Sequence, residues 1–147
     1  MSTLEILEIS TQQPLYPLVL KFRNRWLRQP LNLNLYDEDL NSETLQTTII
    51  ALTKSNEIVG CVMLQILDSC TIKLRQMAVS ESFQHKGIGK RLVEAAETKA
   101  KSMGCTHLIL HARLTAVGFY EKLGYHRMGS DFEEVTIPHI AMKKEIN

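Results

Sequence analysis

Two periods run through the chain. Between Thr47 and Val79 the apolar side chains come as TTIIALT, IVGCVMLQIL and CTIKLRQMAV, separated only by the polar turns KSNE and Asp68-Ser69. Runs of this kind predict three β-strands joined as an antiparallel meander, the third reading as a plain alternation. From Ile88 the spacing lengthens. Ile88, Leu92, Val93 and Ala96, with Ala95 and Ala100 beside them, share one stripe of a helix that Gly104 ends. HLILHA (107–112) predicts a short apolar strand, Ala116 to Leu123 a second helix closed by Gly124, and YHRMGS and HIAMKKE two last strands separated by DFEEVTIP. Upstream, Thr3 to Ile9 alternates weakly as a first strand. Leu15 to Gln29 carries Leu18, Phe22, Trp26 and Leu27 at helical spacing, with Pro30 as the stop. LNLNLYDEDLNSE is turn-rich and predicts a loop or short helix. A strand, a helix and a strand across 71–112 make one crossover unit, so strands 71–79 and 107–112 are expected to be parallel neighbours.

Composition narrows the class. A chain of 147 residues, 44% hydrophobic and 22% charged, suits one domain spanning 1–147. A net charge of +1 provides no global field toward nucleic acid or anionic membrane, so any affinity for anions must be local. Cys61, Cys70 and Cys105 have no paired spacing and suit buried thiols in a reducing compartment. Nor do the five histidines and three cysteines show ligand spacing, so no metal is expected. The start MSTLEILEIS lacks a basic segment followed by an apolar core, which reads as a cytoplasmic protein without a membrane span.

The chemistry-bearing stretch is FQHKGIGKRLVEAAE (83–97), where His85, Lys86 and Lys90 surround Gly87 and Gly89 at a strand-to-helix junction. The first turn of a helix has backbone N–H groups without partners and a positive dipole end, so it suits a phosphate. A Walker loop requires a different spacing and a hydroxyl residue, and a dinucleotide fingerprint a third glycine where Leu92 stands. What remains is Gln/Arg-x-x-Gly-x-Gly, here Gln84-His85-Lys86-Gly87-Ile88-Gly89. Alone, the pattern also fits a glycine-tolerant turn with solvated lysines.

The loop follows a strand ending Met77-Ala78-Val79 and is trailed by Ala116, Phe119, Tyr120, Gly124 and Tyr125 at the spacing A-x-x-F/L-Y-x-x-x-G-F/Y. With this second motif the chain resembles the GCN5-related N-acetyltransferases, the GNAT family, over nearly its whole length. The tail PHIAM (138–142) resembles the ElaA-like branch. The resemblance implies a mixed α/β sheet: an antiparallel N-terminal meander, then central parallel strands that splay at their C-terminal ends, flanked by helices. It implies acetyl-CoA as cosubstrate, a primary amine on a small molecule or peptide as acceptor, and direct transfer in a ternary complex. An acyl-CoA sensor without turnover is one rival, and a nucleic-acid-binding module using Lys86, Lys90 and Arg91, which the near-neutral charge disfavours, is the other. Dimers are common in the family, so a homodimer is an open expectation.

Residue by residue, the resemblance puts pantetheine along Met77, Ala78 and Val79, with the Val79 N–H toward the thioester oxygen. The pyrophosphate falls to Gln84, His85, Lys86, Gly87, Ile88, Gly89 and Lys90, with Ala116 and Phe119 against the cofactor. Many relatives have Asn three residues before the second motif, where this chain has Arg113. Arginine cannot accept a hydrogen bond, so Arg113 is either a phosphate contact or a solvated strand end. Tyr120 stands at the position of the family's acid, with a core aromatic as the alternative reading. The general base stays open among Glu133, Glu134, His139, His111 and water. In the first helix, Arg23 or Trp26 is a candidate acceptor contact, against a helix that buries Phe22 and Trp26 and solvates its arginines.

Overall fold

The computed structural model describes residues 4–146, so Thr3 at the start of the first predicted strand lies outside the described residues. The strands are β1 (Leu4–Ile9), β2 (Thr47–Thr53), β3 (Ile58–Ile66), β4 (Thr71–Val79), β5 (His107–Arg113), β6 (His126–Glu134) and β7 (Ile137–Glu145). They form one sheet in the order β1-β2-β3-β4-β5-β7-β6. Neighbours are antiparallel except β4 and β5, which run parallel as their crossover connection requires. The helices are α1 (Tyr16–Leu27), α2 (Ile88–Ser102) and α3 (Val117–Lys122), with short 3₁₀ turns between elements.

Alternation along the strands divides the core between the two faces. Ile49 and Ala51 of β2 join Leu64, Ile72, Leu74, Leu108 and Leu110 under α2 and α3. Ile50 and Leu52 point the other way and meet Val19 and Phe22 of α1. Because α1 packs over β2, β3 and β4, the same face of β5, β7 and β6 lies beyond it.

Three readings from sequence are corrected. The buried stripe of α1 is Tyr16, Val19, Phe22 and Arg23, while Leu18 is 47% exposed and Pro30 sits inside the following 3₁₀ turn. DFEEVTIP is largely strand: β6 runs on to Glu134 and a two-residue turn, Val135-Thr136, leads straight into β7. Cys61 and Cys105 are buried as expected, but Cys70 is exposed.

The expectation of plain alternation in β4 also fails, at Gln76. Met63 pairs with Arg75 and Cys61 with Ala78, so β4 spends one residue more than β3 between those pairs. Gln76 takes up the excess with a left-handed φ of 54°. Before the bulge the even residues Ile72 and Leu74 face α2; after it the odd residues Met77 and Val79 do, and Ala78 turns toward α1.

Arg23 pins the bulge. Its guanidinium is 1% exposed and donates to both Glu43 oxygens at 2.8 and 2.7 Å, while its Nε donates to Gln76 Oε1 at 3.3 Å. The Tyr16 hydroxyl donates to Glu43 at 2.6 Å. The Cys61 thiol donates to the Gln76 carbonyl at 3.1 Å. Burial alone opposes both charges of the Arg23–Glu43 pair. The paired bonds outweigh it, holding Arg23 above and Glu43 below their ordinary values.

Glu43→Ala leaves Arg23 buried without its counter-ion, so denaturant unfolding should show a loss of about 3–5 kcal/mol. Because the folded Glu43 carboxyl titrates below its ordinary value of 4.5, its stabilisation is present above that pH and fades as pH falls through the depressed folded value. The parent should therefore lose stability more steeply below pH 4.5 than Glu43→Ala. Parallel acid profiles for the two proteins would contradict this.

Candidate active site

Pairing between β4 and β5 stops after Leu74–Leu110. Beyond that point the strands part, and a cleft of about 990 Å³ opens between Arg75–Val79 and His111–Arg113, reaching from the N-terminus of α2 to α1. The bulge explains the parting, because a strand that gains a residue against one neighbour bends away from the other. The Ser80 N–H donates to the Val59 carbonyl at 2.9 Å on the β3 side. By the alternation of an antiparallel ladder, the Val79 N–H therefore points to the opposite edge, into the cleft.

One half of the cleft is built at the junction of β4 and α2. Gly87 is left-handed (φ 80°), with no heavy atom within 4 Å of where a Cβ would stand. Among the described residues no side chain caps α2, which leaves its first amides available to a ligand. A Cβ on Gly89 would sit 3.2 Å from Phe119 and 3.4 Å from Met77, so a glycine keeps the floor of the loop open. Gln84 Nε2 donates to the Val79 carbonyl at 3.2 Å, fastening the loop to the strand end. Met77, Ala78, Val79, Gln84, His85, Gly87, Ile88, Gly89, Lys90, Arg113, Ala116, Phe119 and Tyr120 all line the cleft. Lys86 does not: its ammonium lies 5.3 Å above the Phe83 ring.

Tyr120 is 8% exposed, with Phe119 and Tyr125 set edge-on at centroid distances of 4.9 and 5.8 Å. Its hydroxyl makes no hydrogen bond with the protein among the described residues, whereas Tyr125 donates to Glu97 at 2.9 Å. Burial pushes the Tyr120 phenol up to about 12, so it is a donor throughout the neutral range.

The other half lies on the face that α1 leaves uncovered. His111 stands one residue past the last β4–β5 pair. Its Nδ1 is 2.9 Å from Glu134 Oε1, and since a carboxylate only accepts, Nδ1 bears the hydrogen and neutral His111 has its lone pair on Nε2. His139 is 4% exposed; its Nδ1 donates to the Ile137 carbonyl at 2.7 Å and its Nε2 is 3.9 Å from Glu134 Oε2. Burial works to raise the Glu134 carboxyl, but the His111 bond and the His111, His139 and Lys73 charges bring it below its ordinary value. Phe132 is wedged beside both imidazoles, edge-on to His111 at 4.9 Å and stacked on His139 at 6.2 Å.

A family model for the acetyltransferase (GNAT) domain matches residues 25–146. The Bacillus subtilis protein YyaT, whose own name states no activity, is 32% identical over 146 residues, 98% of this chain and 97% of that protein. This chain belongs to the GNAT acetyltransferase family. Escherichia coli ElaA has the same fold, with a TM-score of 0.82 at 20% identity over 97% of this chain and all of that one. So does a GNAT acetyltransferase from Elizabethkingia anophelis with acetyl-CoA bound: TM-score 0.70, 21% identity, and 97% and 98% of the two chains covered. Acetyl-CoA is the cosubstrate of the GNAT family.

Against this GNAT frame, the open candidates for the base separate. Glu134, His111 and His139 converge on one side of the gap; Glu133, the next residue along β6, does not line the cleft. Trp26 lines it, whereas Arg23 is locked under α1 with Glu43. Sequence reasoning missed Arg28, Lys73, Arg75 and Gln76, which complete this wall. The available signal was Arg75-Gln76, two adjacent polar residues interrupting a strand otherwise read as alternating.

Glu134 is held by an expensive turn. Val135 and Thr136 have φ of 45° and 64°, the left-handed pair that a two-residue hairpin needs and that β-branched side chains resist. Replacing them together by Asn-Gly should stabilise the protein by about 1–3 kcal/mol in denaturant unfolding, since strain at such residues is of that order. No gain, with the hairpin still formed, would mean that the turn stores no strain.

Proposed function

We propose that this GNAT enzyme moves an acetyl group from acetyl-CoA to a primary amine by direct attack across the gap between β4 and β5, as a single cytoplasmic domain. The observation that carries this reading is the loss of β4–β5 pairing after Leu74–Leu110, which leaves strand edge open to a ligand beside an uncapped helix N-terminus. The backbone of Met77, Ala78 and Val79 pairs with the pantetheine arm as an added strand would, and the Val79 N–H donates to the thioester oxygen as charge develops there. The amides after Gly87 hold the pyrophosphate, with Lys90 and Arg113 in the cleft wall to add charge and His85 beside them as a hydrogen-bonding group.

The acceptor arrives from the α1 side, where His111 and Glu134 form a dyad. His111 Nε2 takes a proton from the acceptor ammonium, freeing the amine lone pair for attack. Glu134 acts as a positioning residue by fixing the tautomer at Nδ1. As the carbon–sulfur bond breaks, the Tyr120 hydroxyl donates to the departing thiolate. The burial that raises this phenol raises a thiol in the same place, so donor and acceptor remain matched. The attacking nitrogen sheds its second proton as the amide forms, and that proton restores the Tyr120 hydroxyl through solvent, while His111 releases the first to solvent. The amide product and the free thiol of coenzyme A complete the balance.

Tyr120→Phe removes no hydrogen bond to the protein and should leave stability within about 1 kcal/mol. General acid catalysis contributes on the order of 10²–10⁴-fold, so kcat should fall at least about tenfold with acetyl-CoA affinity unchanged. Turnover close to the parent on a chemistry-limited acceptor would remove Tyr120 from the mechanism. For the loop, Gly87→Val forces a β-branched residue to positive φ and fills the open space above it. Calorimetry should show acetyl-CoA affinity at least about tenfold weaker in a protein that still folds, given the roughly 1–2 kcal/mol cost of the left-handed backbone. Unaltered affinity would detach the loop from coenzyme binding.

A further inference from the structure

The fold neutralises its buried arginines with care, except on one wall of the cleft. Arg23 has both oxygens of Glu43, and Arg28 has Glu38 at 2.5 Å from its Nε. Lys73 and Arg75, both half-buried on β4, have no carboxylate within 4.0 Å among the described residues. Among the described residues Arg75 makes one side-chain hydrogen bond, from Nη1 to the neutral amide oxygen of Gln46 at 2.8 Å, and Lys73 makes none. Four of the five N–H donors of Arg75 are not used by those residues.

These two cations are neighbours. They are two residues apart on one face of a strand, so their backbones are separated by roughly 7 Å. Burial lowers both groups. Arg75 lowers Lys73 further and Arg23 and Arg28 lower Arg75, while Glu134 acts in the opposite sense on both and Glu43 on Arg75. Two like charges drawn partly out of water without a directly paired carboxylate destabilise the folded chain. The more distant Glu134 and Glu43, each already engaged by another cationic or imidazole partner, offset this only in part. The only carboxylate lining the cleft among the described residues is Glu134, which His111 already engages. The local excess is not inherited from the whole chain, whose net charge is +1.

We propose that the amine acceptor bears an anionic group, a carboxylate or a phosphate, that binds on Lys73 and Arg75 while its amine faces His111. The inference rests on the acetyltransferase reading above and adds the acceptor's class to it. The planar fork of Arg75 offers two parallel donors of the kind that carboxylates and phosphates accept, and Lys73 adds a point charge. An acceptor that supplies the missing negative charge is drawn in. A polycation is repelled by the same wall.

Thiol release from acetyl-CoA tests this with matched amines: dipeptides with free or amidated C-termini, O-phosphoethanolamine against ethanolamine, and spermidine. The anionic member of at least one pair should exceed its neutral partner by roughly tenfold or more in kcat/KM, mainly through KM, as expected for charge-assisted bonds. The dipeptide pair and the phosphate pair separate the two anion sources. In Arg75→Gln and Lys73→Gln, folded by circular dichroism, that ratio should collapse toward one, and in Arg75→Glu it should invert in favour of spermidine. Equal rates within every pair, or spermidine preferred by the parent, overturns the anionic acceptor and leaves the acetyltransferase standing. Thiol release from no amine at all, with acetyl-CoA bound, overturns both.

Discussion

The extra residue in β4 is the constraint from which the rest of the site follows. A parallel pair of buried strands gains a hydrogen bond at every step it continues, so something must stop β4 and β5 from zipping to their ends. The bulge at Gln76 does so by bending β4, and it is held in place from below by Arg23, Glu43, Tyr16 and the Cys61 thiol. A charged pair this deep adds little net stability compared with an apolar one. Its contribution here is geometric: Arg23 donates to Glu43 and to Gln76 at once, so the loop bearing Glu43, the first helix and the bulge hold a single arrangement.

The bulge has a second consequence. By shifting the parity of β4 it puts Lys73 and Arg75 on the open face and Met77 and Val79 on the face of α2. One strand thereby serves two compartments. In the proposed reaction its first half forms the wall of the acceptor side and its second half an edge for the donor. The gap between β4 and β5 joins the two compartments through the sheet, with Tyr120 packed on the α2 side and His111 and Glu134 beyond the strands. Such a layout suits the proposed direct transfer, in which the two reactants would enter from opposite faces and meet where the backbone is open.

Much of the donor half was legible along the chain, since its residues are close in sequence and bound by local rules. The strand end, the glycines and the first turn of the helix occupy fifteen consecutive positions (77–91), and Phe119-Tyr120 repeats the logic in a second short segment. Gly87 shows why this works: a left-handed turn ahead of a helix is a property of neighbouring residues. The acceptor half was not legible in the same way. Glu134 read as a loop residue because Val135-Thr136 has no turn chemistry; the hairpin forms because β7 pairs along its length with β5 and β6, and that pairing outweighs the strain of two β-branched residues at positive φ. Arg23 read as an acceptor contact or a solvated arginine, and not as half of a buried pair, since nothing near it in sequence announces Glu43, twenty residues on.

The sequence by itself determined the alternation of strands and helices, the crossover between β4 and β5, the glycine loop ahead of α2 and the family. These depend on the spacing of apolar side chains and on backbone preferences that act over a few residues. Only the tertiary structure decided where β4 breaks its alternation, that His111, Glu134 and His139 share one site, and that Lys73 and Arg75 stand without counter-ions. Whether a charge is paired, and which way a strand turns its side chains after an inserted residue, depend on groups brought together from distant parts of the chain, and no local period records them.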